Sequence, residues 1–180
     1  GGDDILIGGL GNDSYIGGSG NDTAIFGDVD IRADLAADRG RHTTGEGRDL
    51  FESIENLISG SGSDRLLGSV VNNLLDSGSG NDRLDGRAGD DVLIGGSGDD
   101  TLTGGNGSDV FRFYRSEGLS TDTIKDFDAN DSIELIDDTG GSEALIAVAY
   151  DSEGSTVTWD ELTIVFEGAY VNYDDINPIS

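Results

Sequence analysis

The chain has 180 residues, with 37 acidic side chains against 10 basic ones and a formal charge of -27. That balance excludes a nucleic-acid binder, which needs a basic footprint for phosphates, and it demands cations wherever the acidic groups pack closely. Cysteine is absent, which excludes disulfides and thiolate metal sites, and no apolar run approaches membrane-spanning length.

In chain order, residues 1–25 form a first repeat array. Gly8, Gly9, Gly11 and Asp13 lead into Ser14-Tyr15-Ile16. Nine residues on, Gly17, Gly18, Ser19, Gly20 and Asp22 lead into Thr23-Ala24-Ile25. A truncated copy precedes both, with Gly2, Asp4 and Leu6 in register. The chain opens inside a repeat and has no methionine, which reads as the C-terminal piece of a longer protein.

Residues 26–58 interrupt the pattern. Val29 to Leu35 alternates apolar and polar, which predicts a strand. Arg39 to Gly47, holding the single histidine His42, predicts an exposed loop. Leu50, Phe51, Ile54, Leu57 and Ile58 then predict a return to the coil. Asp28 and Asp30 are expected to stand beside Asp13.

Residues 59–112 form a second array of six units in unbroken phase, beginning at Ser59, Gly68, Ser77, Gly86, Gly95 and Gly104. Sixth positions are Asp64, Asn73, Asp82, Asp91, Asp100 and Asp109, and eighth positions are Leu66, Leu75, Leu84, Leu93, Leu102 and Phe111. The Gly68 unit is degenerate, with Val71 and Asn73 in place of Gly and Asp. Residues 113–180 hold a further Asp-x-apolar step at Asp122-Thr123-Ile124. The segments Ala144 to Tyr150, Ser155 to Trp159 and Leu162 to Phe166 are predicted strands that cap the open end.

This period dictates an all-β solenoid. Six residues make a turn and three make a strand whose alternate side chains face opposite ways, so the eighth position points inward. Two units make a coil of 18 residues, which stacks each sixth position on the turn two units later. Stacked carboxylates repel at close range. Ca²⁺, which takes six to eight hard oxygen ligands, suits such turns better than Mg²⁺, which demands tighter octahedral geometry.

The phased G-G-x-G-x-D-x-U-x units resemble the RTX (haemolysin-type) calcium-binding repeat family. The resemblance implies a right-handed parallel β-roll with a C-terminal β cap and several bound Ca²⁺ ions. In that family the ion lies between stacked turns, held by carbonyls at positions two and four and Asp at six of one turn. The next turn adds carbonyls at positions one and three and its own Asp. Carried over, one site uses Gly60, Gly62, Asp64, Ser77, Ser79 and Asp82. A second uses Gly78, Gly80, Asp82, Gly95, Ser97 and Asp100, and a third Arg87, Gly89, Asp91, Gly104, Asn106 and Asp109. Asn73, with Ser69 and Val71, faces Gly86, Ala88 and Asp91, and Asp122 closes a site with Gly96, Gly98 and Asp100. In the first array Gly2 and Asp4 pair with Gly17, Ser19 and Asp22, while Gly9, Gly11 and Asp13 form a further turn. The resemblance also implies a bacterial secreted module that folds on Ca²⁺ after leaving the type I secretion apparatus and stabilises or carries a larger exported protein. Ile54 to Leu57 resembles the link between RTX blocks, and Asn172 to Ile176 resembles the tail read by that apparatus.

No G-x-S-x-G elbow or H-E-x-x-H zinc motif is present, so the chain reads as a non-enzymatic module. Arg65 and Arg83 share seventh positions one coil apart. They read first as charge balance beside the acidic edges and second as a contact for an extracellular polysaccharide, an alginate-like polyanion or adhesin ligand.

Overall fold

The computed structural model describes residues 1–36, 47–118 and 120–139 in full. It adds the backbones of strands at 41–44, 146–151, 154–159, 162–167 and 176–179. Short strands alternate between two sheets. The first sheet runs β1 (Ile5–Ile7), β3 (Thr23–Ile25), β7 (Asn56–Ile58), β9 (Leu74–Asp76), β11 (Val92–Ile94), β13 (Val110–Tyr114), β15 (Ser132–Ile136) and β19 (Ile176–Ile179), all parallel. The second contains β2 (Ser14–Ile16), β4 (Ile31–Asp34), β5 (Arg41–Thr44), β6 (Gly47–Glu52), β8 (Arg65–Leu67), β10 (Arg83–Asp85), β12 (Thr101–Thr103), β14 (Ser120–Ile124), β16 (Ile146–Asp151), β17 (Gly154–Trp159) and β18 (Leu162–Glu167).

The fold is a parallel β-roll. Register follows the period: Leu84 lies opposite Leu66 on one side and Leu102 on the other, and Leu75 lies between Leu57 and Leu93. These eighth-position side chains, with Phe111, Ile124 and Ile133, are fully buried and form one continuous core between the sheets. A three-residue strand alone is far too short to persist; each holds because stacked neighbours pair with it, on both sides except at the ends β1 and β2.

The interruption is built differently from the expected loop. After β3 the chain enters β4, which pairs forward with β8, then reverses through β5 and returns as β6, which pairs backward with β2. The second sheet thereby gains strands with no counterparts in the first, where β3 and β7 are neighbours. Arg41–Thr44 is thus a strand: the edges of β4 and β6 offer it antiparallel partners, which outweigh the polar, glycine-flanked sequence. Tyr15, Phe26 and Phe51 fill the widened interior, with ring centroids 5.4–5.7 Å apart.

Past the second array the spacing lengthens from 18 to 22 residues. A longer β13 and a 3-10 turn at Arg115–Glu117 absorb the extra residues. The three predicted capping segments form an antiparallel meander, β16-β17-β18, joined to the roll by parallel pairing of β18 with β14. Trp159 and His42 have side chains outside the described residues, as does the tail at 172–175. Among the described residues no helix is long and apolar enough to cross a membrane.

Candidate metal centre

Backbone hydrogen bonds stack the turns. Ser79 N–H donates to Gly60 O at 2.9 Å and Gly62 N–H to Ser79 O at 2.9 Å; one coil on, Ser97 N–H donates to Gly78 O at 2.9 Å and Gly80 N–H to Ser97 O at 2.8 Å. Where turns stack on both sides, as at Gly98, the fourth position is held to glycine for two reasons at once. Gly98 has φ +118°, and a Cβ there would strike the Gly80 carbonyl of the preceding turn.

On this scaffold the sixth positions form two ladders. Along the turns entering the second sheet, Asp64 N–H donates to Asp82 Oδ1 (2.7 Å), Asp82 N–H to Asp100 Oδ1 (2.8 Å) and Asp100 N–H to Asp122 Oδ1 (2.9 Å). Along the turns entering the first sheet, Asp4 bonds to Asp22 (2.8 Å), Asp22 to Glu55 (2.9 Å), Asn73 to Asp91 (2.7 Å), Asp91 to Asp109 (2.9 Å) and Asp109 to Asp131 (3.0 Å), each through the first residue's N–H. One carboxylate oxygen per aspartate is satisfied in this way. The other is not: Oδ2 of Asp13, Asp22, Asp64, Asp82, Asp91, Asp100, Asp109 and Asp122 is buried without a hydrogen-bond partner. In the Asp22, Asp91, Asp100 and Asp109 units that oxygen lies against the bare Cα of the first-position glycine, in space a side chain would fill. The Ser59 and Ser77 hydroxyls stand near Asp64 and Asp82. Each gives its proton to the next turn's carbonyl instead, Ser77 O at 3.0 Å and Gly95 O at 2.8 Å.

Removal from water is the main cause that pushes these carboxyls up, to about 6 for Asp82, 7 for Asp91, 8 for Asp100 and 7 for Asp122. The N–H of the preceding sixth-position residue, Asp64 for Asp82, Asn73 for Asp91 and Asp82 for Asp100, works against that rise, and neighbouring carboxylates add to it. Asp64 and Asp109 are raised for the same leading reason. A row of buried, half-satisfied carboxyls is costly on its own.

The structure brings together the predicted sets around Asp64, Asp82, Asp100 and Asp122, around Asp91 and Asp109, and around Asp4 and Asp22. It separates one. Asp28 and Asp30 lie beside Gly60 and Gly62, where Asp30 Oδ1 accepts from Ser63 N–H at 2.9 Å. Asp13 is bonded instead to Asp49 (2.8 Å), because β6 and not β4 pairs with β2. Asp49, Glu55 and Asp131 hold sixth-position places without the glycine turn. Their signal was the bare acidic-x-apolar step in Asp49-Leu50-Phe51, Glu55-Asn56-Leu57 and Asp131-Ser132-Ile133. The fifth position also has a role that its variability hid. Asn72, Asn81, Asp90 and Asp99 each accept the fifth-position N–H one coil on, at 2.8–3.1 Å. This fifth-position ladder therefore runs in the opposite direction to both sixth-position ladders.

Among the described residues no three carboxylate or histidine side chains already converge on one point. An ion here must take two aspartates and complete its shell from turn carbonyls, a hard-oxygen set that suits Ca²⁺. The carbonyls at positions two and three already accept one hydrogen bond each and keep a second lone pair. Orphaned anionic oxygens, glycine cradles and stacked carbonyls together fit such an ion.

These features define a metal-binding parallel β-roll. The sequence matches the RTX calcium-binding nonapeptide repeat (4 copies) over residues 1–24, 58–93 and 76–111. The structure is similar to the AlgE6R3 subunit of the mannuronan C5-epimerase of Azotobacter vinelandii, with 30% identity and a TM-score of 0.51, covering 66% of this chain and 80% of that one. It also aligns with the extracellular lipase LipA of Serratia marcescens at 21% identity and a TM-score of 0.40, covering 99% of this chain and 38% of the lipase. No curated protein sequence matches the chain. The chain belongs to the RTX calcium-binding nonapeptide repeat family.

Proposed function

We propose that this chain is a calcium-driven folding module of an exported protein, unfolded where calcium is scarce and folded outside the cell. The observation that carries the reading is the set of buried aspartate oxygens without partners. Each repeat unit buries one inward residue, so the apolar core is thin for the number of residues it must order. Carboxyls left buried and half-satisfied work against that core further. A bound Ca²⁺ would supply the positive charge these oxygens lack. In this reading Asp82 is shared, serving Asp64 on one side and Asp100 on the other, and Asp100 likewise serves Asp122. The carbonyls of Gly60, Gly62, Gly78, Gly80, Gly96 and Gly98, with those of Ser77, Ser79, Gly95 and Ser97, would complete the shells on that edge. Asp91 and Asp109, with Gly89, Gly104 and Asn106, serve the other edge, as do Asp4 and Asp22 in the first array.

Extracellular calcium modules bind with Kd of about 10⁻⁴–10⁻³ M, far above cytoplasmic calcium. Such affinities would keep the chain unfolded for passage through a type I secretion channel and fold it afterwards, stabilising the larger protein that carries it. Far-ultraviolet circular dichroism tests this: millimolar CaCl₂ should give a β spectrum that EGTA converts to random coil. A β spectrum unchanged by EGTA at neutral pH defeats the proposal.

One observation favours a second reading. Arg32, Arg65 and Arg83 lie in register on adjacent strands β4, β8 and β10, all exposed on the outer face. Among the described residues none of them has an ion pair within 4 Å. Beside them runs a shallow groove of about 200 Å³ that Thr101, Thr103 and Lys125 also line. Cations about 4.8 Å apart suit a linear polyanionic polysaccharide, the alginate-like ligand class.

A further inference from the structure

The degenerate Gly68–Asn73 turn differs from every other turn of the second array in how its polar atoms are satisfied. Asn73 stands where the others carry Asp, and nothing on it is orphaned. Its Oδ1 accepts from the Ser69 N–H at 2.7 Å and the Ser69 hydroxyl at 3.3 Å, and its Nδ2 donates to Glu55 O at 2.7 Å. Its N–H donates to Asp91 Oδ1 at 2.7 Å.

One coil on, Arg87 occupies the second position of its unit, where Gly78, Gly96 and Gly105 stand in neighbouring units. Its φ is +73°, one of two positive values among the described non-glycine residues. That conformation is unfavourable for a side-chain-bearing residue, so the side chain offsets a backbone disadvantage. The guanidinium reaches back across the step to the degenerate turn. It binds Asp34 through both nitrogens, Nη1 to Oδ1 at 2.7 Å and Nη2 to Oδ2 at 2.9 Å, and Nη1 also donates to Gly68 O at 2.7 Å. Gly68 O is the first-position carbonyl of the earlier turn, so the guanidinium spans the whole step and ties the Gly86 turn to the Gly68 turn and to Asp34.

We propose that the step between the Gly68–Asn73 turn and the Gly86–Asp91 turn takes no calcium and is closed by a cation the chain itself supplies, the Arg87 guanidinium. Charge supports this: ordinary steps place two sixth-position carboxylates across from each other, whereas this step has only that of Asp91. Of the carboxylates beside Arg87, Asp34 is bound by it through both nitrogens, and Asp85 also lies within reach of its charge. The joint between the β4–β6 segment and the second array is thereby independent of the ion that governs its neighbours, an inference that rests on the calcium reading of those neighbours.

Two measurements test it. Crystals of the wild-type chain grown in millimolar CaCl₂ should show ions at the steps flanked by two aspartates and none between Asn73 and Asp91, with Arg87 still on Asp34. Calorimetric titration of the Asn73→Asp/Arg87→Gly double variant should count one more Ca²⁺ per chain than the wild type. An ion between Asn73 and Asp91 in the wild-type crystal overturns the proposal even if the variant fails to fold, and so does an unchanged count in a folded variant. Absence of ions at every turn instead overturns the calcium reading itself.

Discussion

The sixth-position aspartates Asp22, Asp91, Asp100 and Asp109 each do two jobs with one carboxylate. Oδ1 accepts the N–H of the preceding turn and sets the coil spacing, while Oδ2 is held in the glycine cradle without a partner. Where asparagine occurs, at Asn73, the side chain does neither job: Oδ1 accepts from Ser69 of its own turn and Nδ2 donates to Glu55 O, so only the backbone N–H carries the ladder on to Asp91. Glycine is equally specific. Gly9 and Gly98 both have positive φ, +87° and +118°, but a Cβ on Gly9 meets nothing whereas one on Gly98 meets the Gly80 carbonyl. Gly9→Ala should therefore cost only the backbone strain, about 1–3 kcal/mol. Gly98→Ala should cost more, because the turns must also separate. Thermal melts of both variants in saturating calcium check the order; equal losses would mean that turn stacking tolerates the extra atom.

At the scale of elements, the strands are interchangeable three-residue rungs distinguished mainly by what they present outward. On β4, β8 and β10 that is the arginine row, while the same column continues as Thr101 on β12 and Thr123 on β14. Carbohydrate binding belongs to this scale because no single arginine defines it. If the row binds a polyuronate, the Arg65→Ser/Arg83→Ser variant should lose at least tenfold in affinity in a binding titration. Its calcium-dependent spectrum should be unchanged, and the wild-type affinity should fall steeply with added salt. Equal binding by wild type and variant would leave the row as charge balance. The β4–β5–β6 excursion is the other decision made at this scale. It ends the ladder entering the second sheet at Ile31, whose N–H bonds to Asp64 Oδ1 at 2.8 Å. It also starts a separate short ladder at Asp13 and Asp49.

For the whole molecule the buried carboxyls set a dependence on pH opposite to that of most acidic proteins. Asp82, Asp91, Asp100 and Asp122 bind protons more tightly in the folded chain, with values of about 6 to 8, than in the unfolded chain, where aspartate titrates near about 3.9. Across that window the folded state holds more protons, so folding weakens as pH rises through it; the penalty is absent below about pH 4 and complete above about pH 8. In EGTA the chain should therefore gain β structure as pH falls from about 8 to about 4. In saturating calcium, where the same groups must be deprotonated to bind, acidification should release the ion instead. A metal-free chain that loses structure on acidification would contradict this sign.

The nonapeptide period by itself determined the stacked solenoid of short strands, the inward Leu column and the sixth-position ladders, because each follows from spacing that repeats every coil. It did not determine what happens where spacing breaks. That β4 joins β8 while β6 joins β2 depends on which strand edges are free, so spacing alone sets Asp28 and Asp30 beside Asp13 rather than beside Gly60 and Gly62, and Asp49, Glu55 and Asp131 carry no glycine turn to mark them. Nor could the pattern show that Arg87 reaches back to Asp34, 53 residues earlier. Local spacing encodes neighbours one coil apart, and only the assembled stack decides which side chains from distant coils share an edge.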